Sequence, residues 1–535
     1  MRSSAVFIVG LVACGMSTSE PLEPLRLDAI SPAIGSVGGG TRVDLMGDGM
    51  SADVAVTIGG VACTSVTSDS QSHASCVTGD AAFLEGPADV VVTRGGETQT
   101  LAGAYTYKCL WQTSSGRTSC GAVPPVTAAA QTVDSFITQF QGDHGFTASV
   151  VGAATSSMAD TSDFTLGTQS VFVSTSGLGG TSSIARTSMP AIDFSEHMLK
   201  IWIRVDNIAH AAALDVQLGN SNFTNAYVFN LKSTQGQQWI TDGDWVSFSL
   251  SWDGNDTSTR GAPSKSQITD IMLRVTDDAT GVPVKLHANG LALVANPPQK
   301  YPNGVVSFTF DDDFATMVSL GKPLLDAHGF PATAFVIVDR LGFAGRATLG
   351  DLHALDADGW DIAAHAYTDV DHGAMFTNLS PLAVEDDMVS SREWLIDQHF
   401  VGYDHCAYPS GEFDEIGQTD VLPIAARYFT TCRTIYSRQY EAYPPSDPSK
   451  LRVFYASMNA TLASAEAAID DARLYGDWVI IVNHQLVDVP ASSTEWPITD
   501  FTALVAYVAQ SGVAVDTITG VMGNGPRASA SRPIP

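Results

Sequence analysis

The sequence predicts a multidomain protein in which two β-sandwiches precede an α/β domain built on a parallel sheet. Three observations predict it. A chain of 535 residues exceeds what one hydrophobic core serves and suggests about three or four units. From residue 25 to about residue 298, short runs of alternating apolar and polar residues are separated by Gly, Asp and Ser turns. After "NPPQKYPNG" strand-like runs alternate with helix-like ones, the pattern of repeated βα units.

The first residues, "MRSSAVFIVGLVACGMSTSE", carry one Arg, an apolar run from Ala5 to Val12 and small residues before Cys14. The run is too short to span a bilayer, and its layout is that of an export signal. Leu11-Val12-Ala13-Cys14 resembles a bacterial lipobox, which implies a lipidated Cys14, a signal over 1–14 and a polar tether over 15–24. The alternative is an ordinary signal peptide with an incidental Cys. Either way the body of the protein is expected outside the cytoplasm. With the lipid it is expected at the outer membrane or cell surface, touching membrane only through that anchor.

The net charge of -30, from 27 Lys+Arg against 57 Asp+Glu, argues against a nucleic-acid partner, because phosphate binding needs a basic surface. A hydrophobic fraction of 44% excludes a wholly disordered chain. Of seven Cys, six remain once Cys14 is set aside. In an exported protein the simplest of about fifteen connectivities pairs Cys63 with Cys76, Cys109 with Cys120, and Cys406 with Cys432. Each short loop so closed would contribute on the order of 3 kcal/mol.

Residues 25 to 107 hold "TRVDL", "VAVTIGG" and "ADVVVTR" between turns, the pattern of a small β-sandwich. "ISPAIGSVGGGTRVDLMGDGM", "VTIGGVACTSV" and "SHASC" resemble the IPT/TIG family of immunoglobulin-like domains over 25–108. Residues 109–120 form a Cys-bounded connector. From 121 to 298 come "SVFVSTS", "LKIWIRV", "AYVFNL", "DWVSFSL" and "VKLHANGLALV", a second and larger sandwich. Its pattern is similar to the jelly-roll modules of galactose-binding type that accompany carbohydrate enzymes, which implies carbohydrate binding. Trp202, Trp239 and Trp245 are candidates for stacking on sugar rings, against the commoner reading of a strand Trp as core.

In the α/β domain, over 303–525, "VVSFTF", "ATAFVIV", "WDIAAH", "HCAYPSG", "YFTTCRT" and "WVIIVNH" read as strands. Helices are expected around 317–327, 349–358, 381–398, 463–474 and 500–510. About seven such units predict a barrel or a doubly wound fold, whose chemistry gathers where the strands end. Those ends hold Asp311-Asp312-Asp313, His365, Tyr408-Pro409-Ser410-Gly411 and His484. Adjacent carboxylates repel one another and are expensive to bury unless a cation, a basic side chain or water offsets them. A pair of Asp with a pair of His at one mouth suits metal-assisted hydrolysis.

"SFTFDDD", "WDIAAHAYTD", "CAYPSG" and "VIIVNH", in that order, resemble the NodB-type polysaccharide deacetylases of carbohydrate esterase family 4. The resemblance implies a distorted (β/α) barrel, a divalent metal, zinc first among candidates, and an acetylated polysaccharide as partner. It places Asp311 as general base, Asp312 and His365 as metal ligands and His484 as general acid. It makes Tyr408, Pro409, Ser410 and Gly411 the groove-forming turn, with the Ser410 backbone N–H facing the oxyanion.

The sequence departs from the family's pattern at four places. The family's second metal His falls on Asp369, so Asp369 or His372, three residues on, is expected to complete the site. Asp313 replaces a Gly and is expected to be solvated or to support a ligand. Ala407 replaces an Arg that orients the base, and Arg433 is a candidate substitute. Only "LYGDW" stands for the segment that tunes the acid.

The function expected is removal of N-acetyl groups from an amino-sugar polymer such as a chitin-like glycan, peptidoglycan or poly-N-acetylglucosamine. O-acetyl esters of xylan and non-sugar amides are variants on the same domain. The alternative from another class is a non-catalytic cell-surface carbohydrate-binding or adhesion protein. Oligomeric state is not legible.

Overall fold

The computed structural model describes residues 23–108 and 131–523, except 52, 80, 82–84, 233–238, 253–256, 296–299, 414–418 and 438–439. Cys14, Cys109 and Cys120 therefore lie outside the described residues. The chain divides into two compact units between residues 109 and 110.

The first unit is β-rich. An antiparallel sheet runs in the order Arg26–Ser31, Arg42–Asp48, His73–Val77, Thr64–Ser70. A second runs Ile34–Ser36, Glu97–Lys108, Gly86–Arg94, Ala55–Ile58, Val61–Ala62. Alternation sets the inward faces: Val43 and Leu45 of one sheet and Val56, Ile58, Val90 and Val92 of the other are buried, while Met46 points out. The disulfide expected between Cys63 and Cys76 is not formed; both are free thiols. The two sulfurs hydrogen-bond instead, an arrangement that lowers the Cys63 thiol pKa and, with burial, raises that of Cys76.

In the second unit, two six-stranded antiparallel sheets share one apolar core. The first runs Ser156–Asp160, Ser170–Ser174, Lys285–Ala295, His197–Asp206, Trp245–Leu250, with Val133–Thr138 also on Lys285–Ala295. The second runs Thr147–Ser149, Thr181–Arg186, Asp270–Asp277, Ala211–Asn220, Asn225–Asn230, Thr257–Arg260. Val171, Ile201 and Ile203 of one meet Leu214, Val216 and Leu273 of the other. Trp239, a candidate for sugar stacking, is fully buried and donates its Nε1–H to the Lys450 carbonyl at 2.9 Å, so it faces protein.

The remaining strands form one curled parallel sheet, in the order Thr431–Arg433, His405–Ala407, Asp361–Ala366, Ala332–Ile337, Val305–Asp311, Trp478–Asn483, Phe454–Tyr455, with Ala514–Val515 beside Val305–Asp311. Its central strands are buried at every residue, and one set of their side chains, Val305, Phe335, Ala363 and Ile480, packs into an apolar cluster with Leu451 and Val453. Thr348 and Thr461 close capping boxes on helices Leu349–Ala357 and Leu462–Tyr475, and Ser380 caps Pro381–Asp397. The expected helix positions agree with these to within two residues. Short helices at Asp369–Ala374, Leu422–Tyr428 and Ile518–Met522 were not anticipated, since each is too brief to show a period. Cys406 and Cys432 are joined across adjacent strands, where parallel pairing sets them opposite each other with Cα atoms 4.4 Å apart. Among the described residues no helix is long and apolar enough to cross a membrane.

Candidate active site

Parallel strands bring Asp311, Asp312, His365, His484 and the turn at 408–411 to one edge of the sheet. Val305–Asp311 lies between Ala332–Ile337 and Trp478–Asn483, and His365 stands one strand further out near the end of Asp361–Ala366. Asp312 and Asp313 then take left-handed backbone angles, φ 67° and 56°, so three consecutive carboxylates leave the strand in different directions. Arg346 Nη1 bonds the Asp312 carbonyl at 2.5 Å and the Ala347 N–H bonds that of Asp313 at 2.7 Å, which holds the turn.

Each carboxylate is tolerated for a different reason. Asp311 is buried, which opposes its ionisation, but the Arg433 guanidinium, followed by His365 and His484, holds its pKa below the ordinary value. Arg433 Nη2 donates directly to Asp311 Oδ2. His484 Nε2 stands 3.7 Å from the same oxygen. Asp313 is not solvated: it is 2% exposed and accepts the Ile337 N–H, at 3.0 Å to Oδ2. Burial pushes its pKa well above the ordinary carboxylate value.

Asp312 faces two imidazoles. Its Oδ1 lies 3.7 Å from His365 Nε2 and 3.4 Å from His372 Nε2, and the two Nε2 atoms are 3.2 Å apart. His365 Nδ1 lies 2.9 Å from the Ala407 carbonyl, which can only accept; the proton is therefore on Nδ1 and the Nε2 lone pair points at Asp312. Burial, then the neighbouring His365, drives the His372 pKa down to about 3, so that ring is neutral. Asp312 Oδ1 is buried without a hydrogen bond.

These three residues offer the donors a divalent cation takes: one carboxylate oxygen and two imidazole nitrogens, all within 4.8 Å of one another. Ligand atoms about 2.0–2.1 Å from a tetrahedral centre stand roughly 3.3–3.4 Å apart, close to the three separations here. Asp369 is the correction. Its side chain is 54% exposed and pairs with Arg340 at 3.2 Å, outside the group of three. Thr368 caps a one-turn helix at Asp369–Ala374, and His372 stands three residues along its face, with its side chain tilting back toward the helix start.

The groove turn is rigid. Tyr408 is buried and donates its hydroxyl to the Ser449 carbonyl at 2.9 Å; Pro409 is buried; Ser410 is exposed at φ 56°. Gly411 is required: its φ is 72°, and a Cβ there would lie 2.5 Å from Ile435 Cγ1. Three neighbours were not singled out in the sequence. Arg340 lies 3.9 Å from Asp312 Oδ1, the Tyr455 ring packs edge-on to His484 at 5.5 Å, and Asn483 bonds the Thr309 carbonyl at 3.2 Å while its Oδ1 is buried unpaired. Tyr455 and Asn483 end strands, a signal that was available; Arg340 follows a strand in a short turn and carried none.

The strand ends thus carry an ionised carboxylate held by Arg433, a cation-ready triplet and a neutral histidine, the components of a hydrolytic centre. Residues 25–108 match the IPT/TIG domain family, and residues 299–422 match the polysaccharide deacetylase family. The latter span contains Asp311, Asp312, His365, His372 and Tyr408 to Gly411; Arg433 and His484 lie beyond it. No curated protein matches the sequence.

Among solved structures the chain is similar to Streptococcus pyogenes deacetylase PplD in complex with acetate, at 23% identity and TM-score 0.24, covering 27% of this chain and 62% of that one. It is similar to a family 4 carbohydrate esterase from Streptomyces lividans in complex with acetate, at 19% and 0.29, covering 42% and 98%. It is also similar to a family 4 acetyl xylan esterase from Clostridium thermocellum in complex with a cobalt ion, at 15% and 0.29, covering 41% and 89%. The chain thus joins a region that matches the IPT/TIG domain to a region, C-terminal to it, that matches polysaccharide deacetylase.

Proposed function

We propose that the protein removes N-acetyl groups from an amino-sugar polysaccharide, with a divalent cation, zinc first, held by Asp312, His365 and His372. The observation that carries this reading is the 3.2–3.7 Å triangle of ligand atoms beside an ionised, arginine-held Asp311. A cation so bound supplies Lewis acidity, polarising an amide carbonyl and making water more acidic.

The chain's own residues do the rest. Asp311, kept ionised by Arg433, takes a proton from the attacking water. His484, with Nε2 3.7 Å from Asp311 Oδ2, delivers a proton to the departing nitrogen. The bond formed is carbon to water oxygen and the bond broken is carbon to nitrogen, so the products are acetate and a free amine. The Ser410 backbone N–H meets the oxygen that gains charge. Burial lowers the His484 pKa, which suits a ring that gains its proton during the reaction: the proton Asp311 takes from water passes to His484 and from there to the departing nitrogen.

A chain of net charge -30 is matched to a neutral acetylated polymer whose product amines are cationic. On the leader read over residues 1–14, the enzyme works outside the cytoplasm, at the cell surface. The test is acetate release from an N-acetylated chito-oligosaccharide by full-length protein, with bound metal measured before and after Asp312→Ala. Acetate and about one metal per chain, both lost in the variant, are expected. Equally little metal in both proteins, and no acetate, would leave a binding or adhesion protein.

A further inference from the structure

The second sandwich does not close its own core. Tyr436 and Ala442, which follow the strand carrying Arg433, are buried in the same apolar cluster as Leu231, Trp239 and Phe248. Tyr436 donates its hydroxyl to the Leu231 carbonyl at 3.0 Å, and Trp239 donates its indole N–H to the Lys450 carbonyl at 2.9 Å. The Lys450 ammonium lies over the Trp239 ring at 4.1 Å and bonds the Trp239 carbonyl. The sandwich therefore grips this segment at Tyr436 and at Lys450, besides the bond from Arg452 Nη1 to the Ser249 carbonyl at 3.2 Å.

Those two grips lead to the active site. Arg433 is 1% exposed, and its Nε is buried without a hydrogen bond. Its guanidinium is held by Nη1 on the Thr434 carbonyl at 3.0 Å, by Nη2 on Asp311, and by the Phe335 ring at 5.0 Å. Thr434 bonds the Leu451 carbonyl twice, through its N–H at 3.0 Å and its Oγ1 at 2.9 Å. Tyr436 follows Thr434 by two residues and bonds its Oγ1 at 3.0 Å, and Lys450 precedes Leu451. The carbonyl that orients Arg433 is thus set by two stretches of backbone, each fastened to the sandwich.

We propose that the second sandwich is a fixed wall of the deacetylase domain rather than a detachable module, and that Trp239 and Tyr436 are positioning residues that hold Arg433 against Asp311. The half concerning Asp311 rests on the reading of that residue as the base; the half concerning the wall does not. A guanidinium displaced by a fraction of an ångström no longer shares a hydrogen bond with the carboxylate, and the base loses its fixed aim.

Two measurements on the full-length protein test this. In scanning calorimetry, the sandwich and the parallel-sheet region are expected to melt in one transition, separate from that of residues 23–108; a distinct third transition for the sandwich overturns the wall. In steady-state kinetics on an N-acetylated chito-oligosaccharide, Tyr436→Phe keeps its ring and loses one donor, while Trp239→Phe loses the indole donor together with part of the ring. Each is expected to lower kcat about tenfold with KM and bound zinc per chain unchanged. Tyr227→Phe, which loses a comparable hydroxyl bond within the sandwich, to the Pro263 carbonyl at 3.2 Å, is expected to keep the wild-type kcat. Wild-type kcat in both test variants, or a loss that merely follows bound zinc, overturns the positioning role. If wild-type protein releases no acetate, the reading of Asp311 fails, while calorimetry still decides the wall.

Discussion

Arg433 donates to Asp311 across 122 residues of sequence, and neither side chain is more than 3% exposed. The pair answers why an apolar strand runs into three acids: the first is neutralised from the edge of the sheet. Arg433→Gln is expected to let the Asp311 carboxyl rise, so the acid limb of kcat/KM moves to higher pH, because the ionised form is then reached later. Asp311→Asn is expected to lower kcat/KM by about 10²–10⁴-fold. A pH–rate profile of the two variants checks both.

His372, not Asp369, is expected to complete the metal site. His372→Ala is expected to weaken zinc by more than the roughly 10–100-fold that follows loss of a ligand's supporting hydrogen bond. Asp369→Ala, which breaks only the ion pair with Arg340, is expected to retain it. Competition against a chromophoric chelator measures the two affinities, and the reverse order would return the site to Asp369.

Asp387 supports the segment between the two histidines. It is 4% exposed and accepts the backbone N–H groups of Tyr367 and Thr368 at 2.8 and 3.0 Å. Burial pushes its pKa up to about 7. A folded value above the unfolded one, about 3.9, means the folded protein keeps a proton that the unfolded chain has lost. This group's contribution to stability therefore falls as pH rises from about 4 to about 7. Asp387→Asn cannot titrate, and its Tm is expected to vary less with pH over that window than the wild type's.

Glu441 and Arg452 form an ion pair at 2.8 Å with exposures of 0% and 1%. The carboxylate also accepts the N–H groups of Ala442 and Arg452, and Arg452 reaches the Ser249 carbonyl at 3.2 Å. Glu441→Ala strands a buried guanidinium and is expected to destabilise the protein by about 3–5 kcal/mol. Replacing both residues by Met is expected to be much milder. Denaturant melts of the two variants separate the outcomes.

Much of the fold was legible because its signals are local. Alternation in "TRVDL" and the continuous apolar run "VVSFTF" report burial on one face or on two, which neighbours in sequence suffice to encode. Asp311, Asp312, His365 and His484 were legible because parallel strands all end at one edge. Asp313 misled, since a third acid in a row reads as solvated; here a left-handed turn aims it at the Ile337 N–H. Trp239 follows the commoner reading of such a Trp as core, though the sequence says nothing of which surface covers it.

By itself the sequence determined where the longer strands and helices fall, that acids and imidazoles meet at one rim, and that Arg433 was available to stand in for an absent Arg at 407. These follow from periodicity and strand direction, which are properties of short segments. Only the tertiary structure decided that His372 rather than Asp369 faces Asp312, that the Cys63 and Cys76 thiols stand unjoined, and that Tyr436 and Ala442 complete a core begun two hundred residues earlier. Each of those outcomes depends on distances between segments remote in sequence, which are fixed when buried surfaces and charges settle against one another.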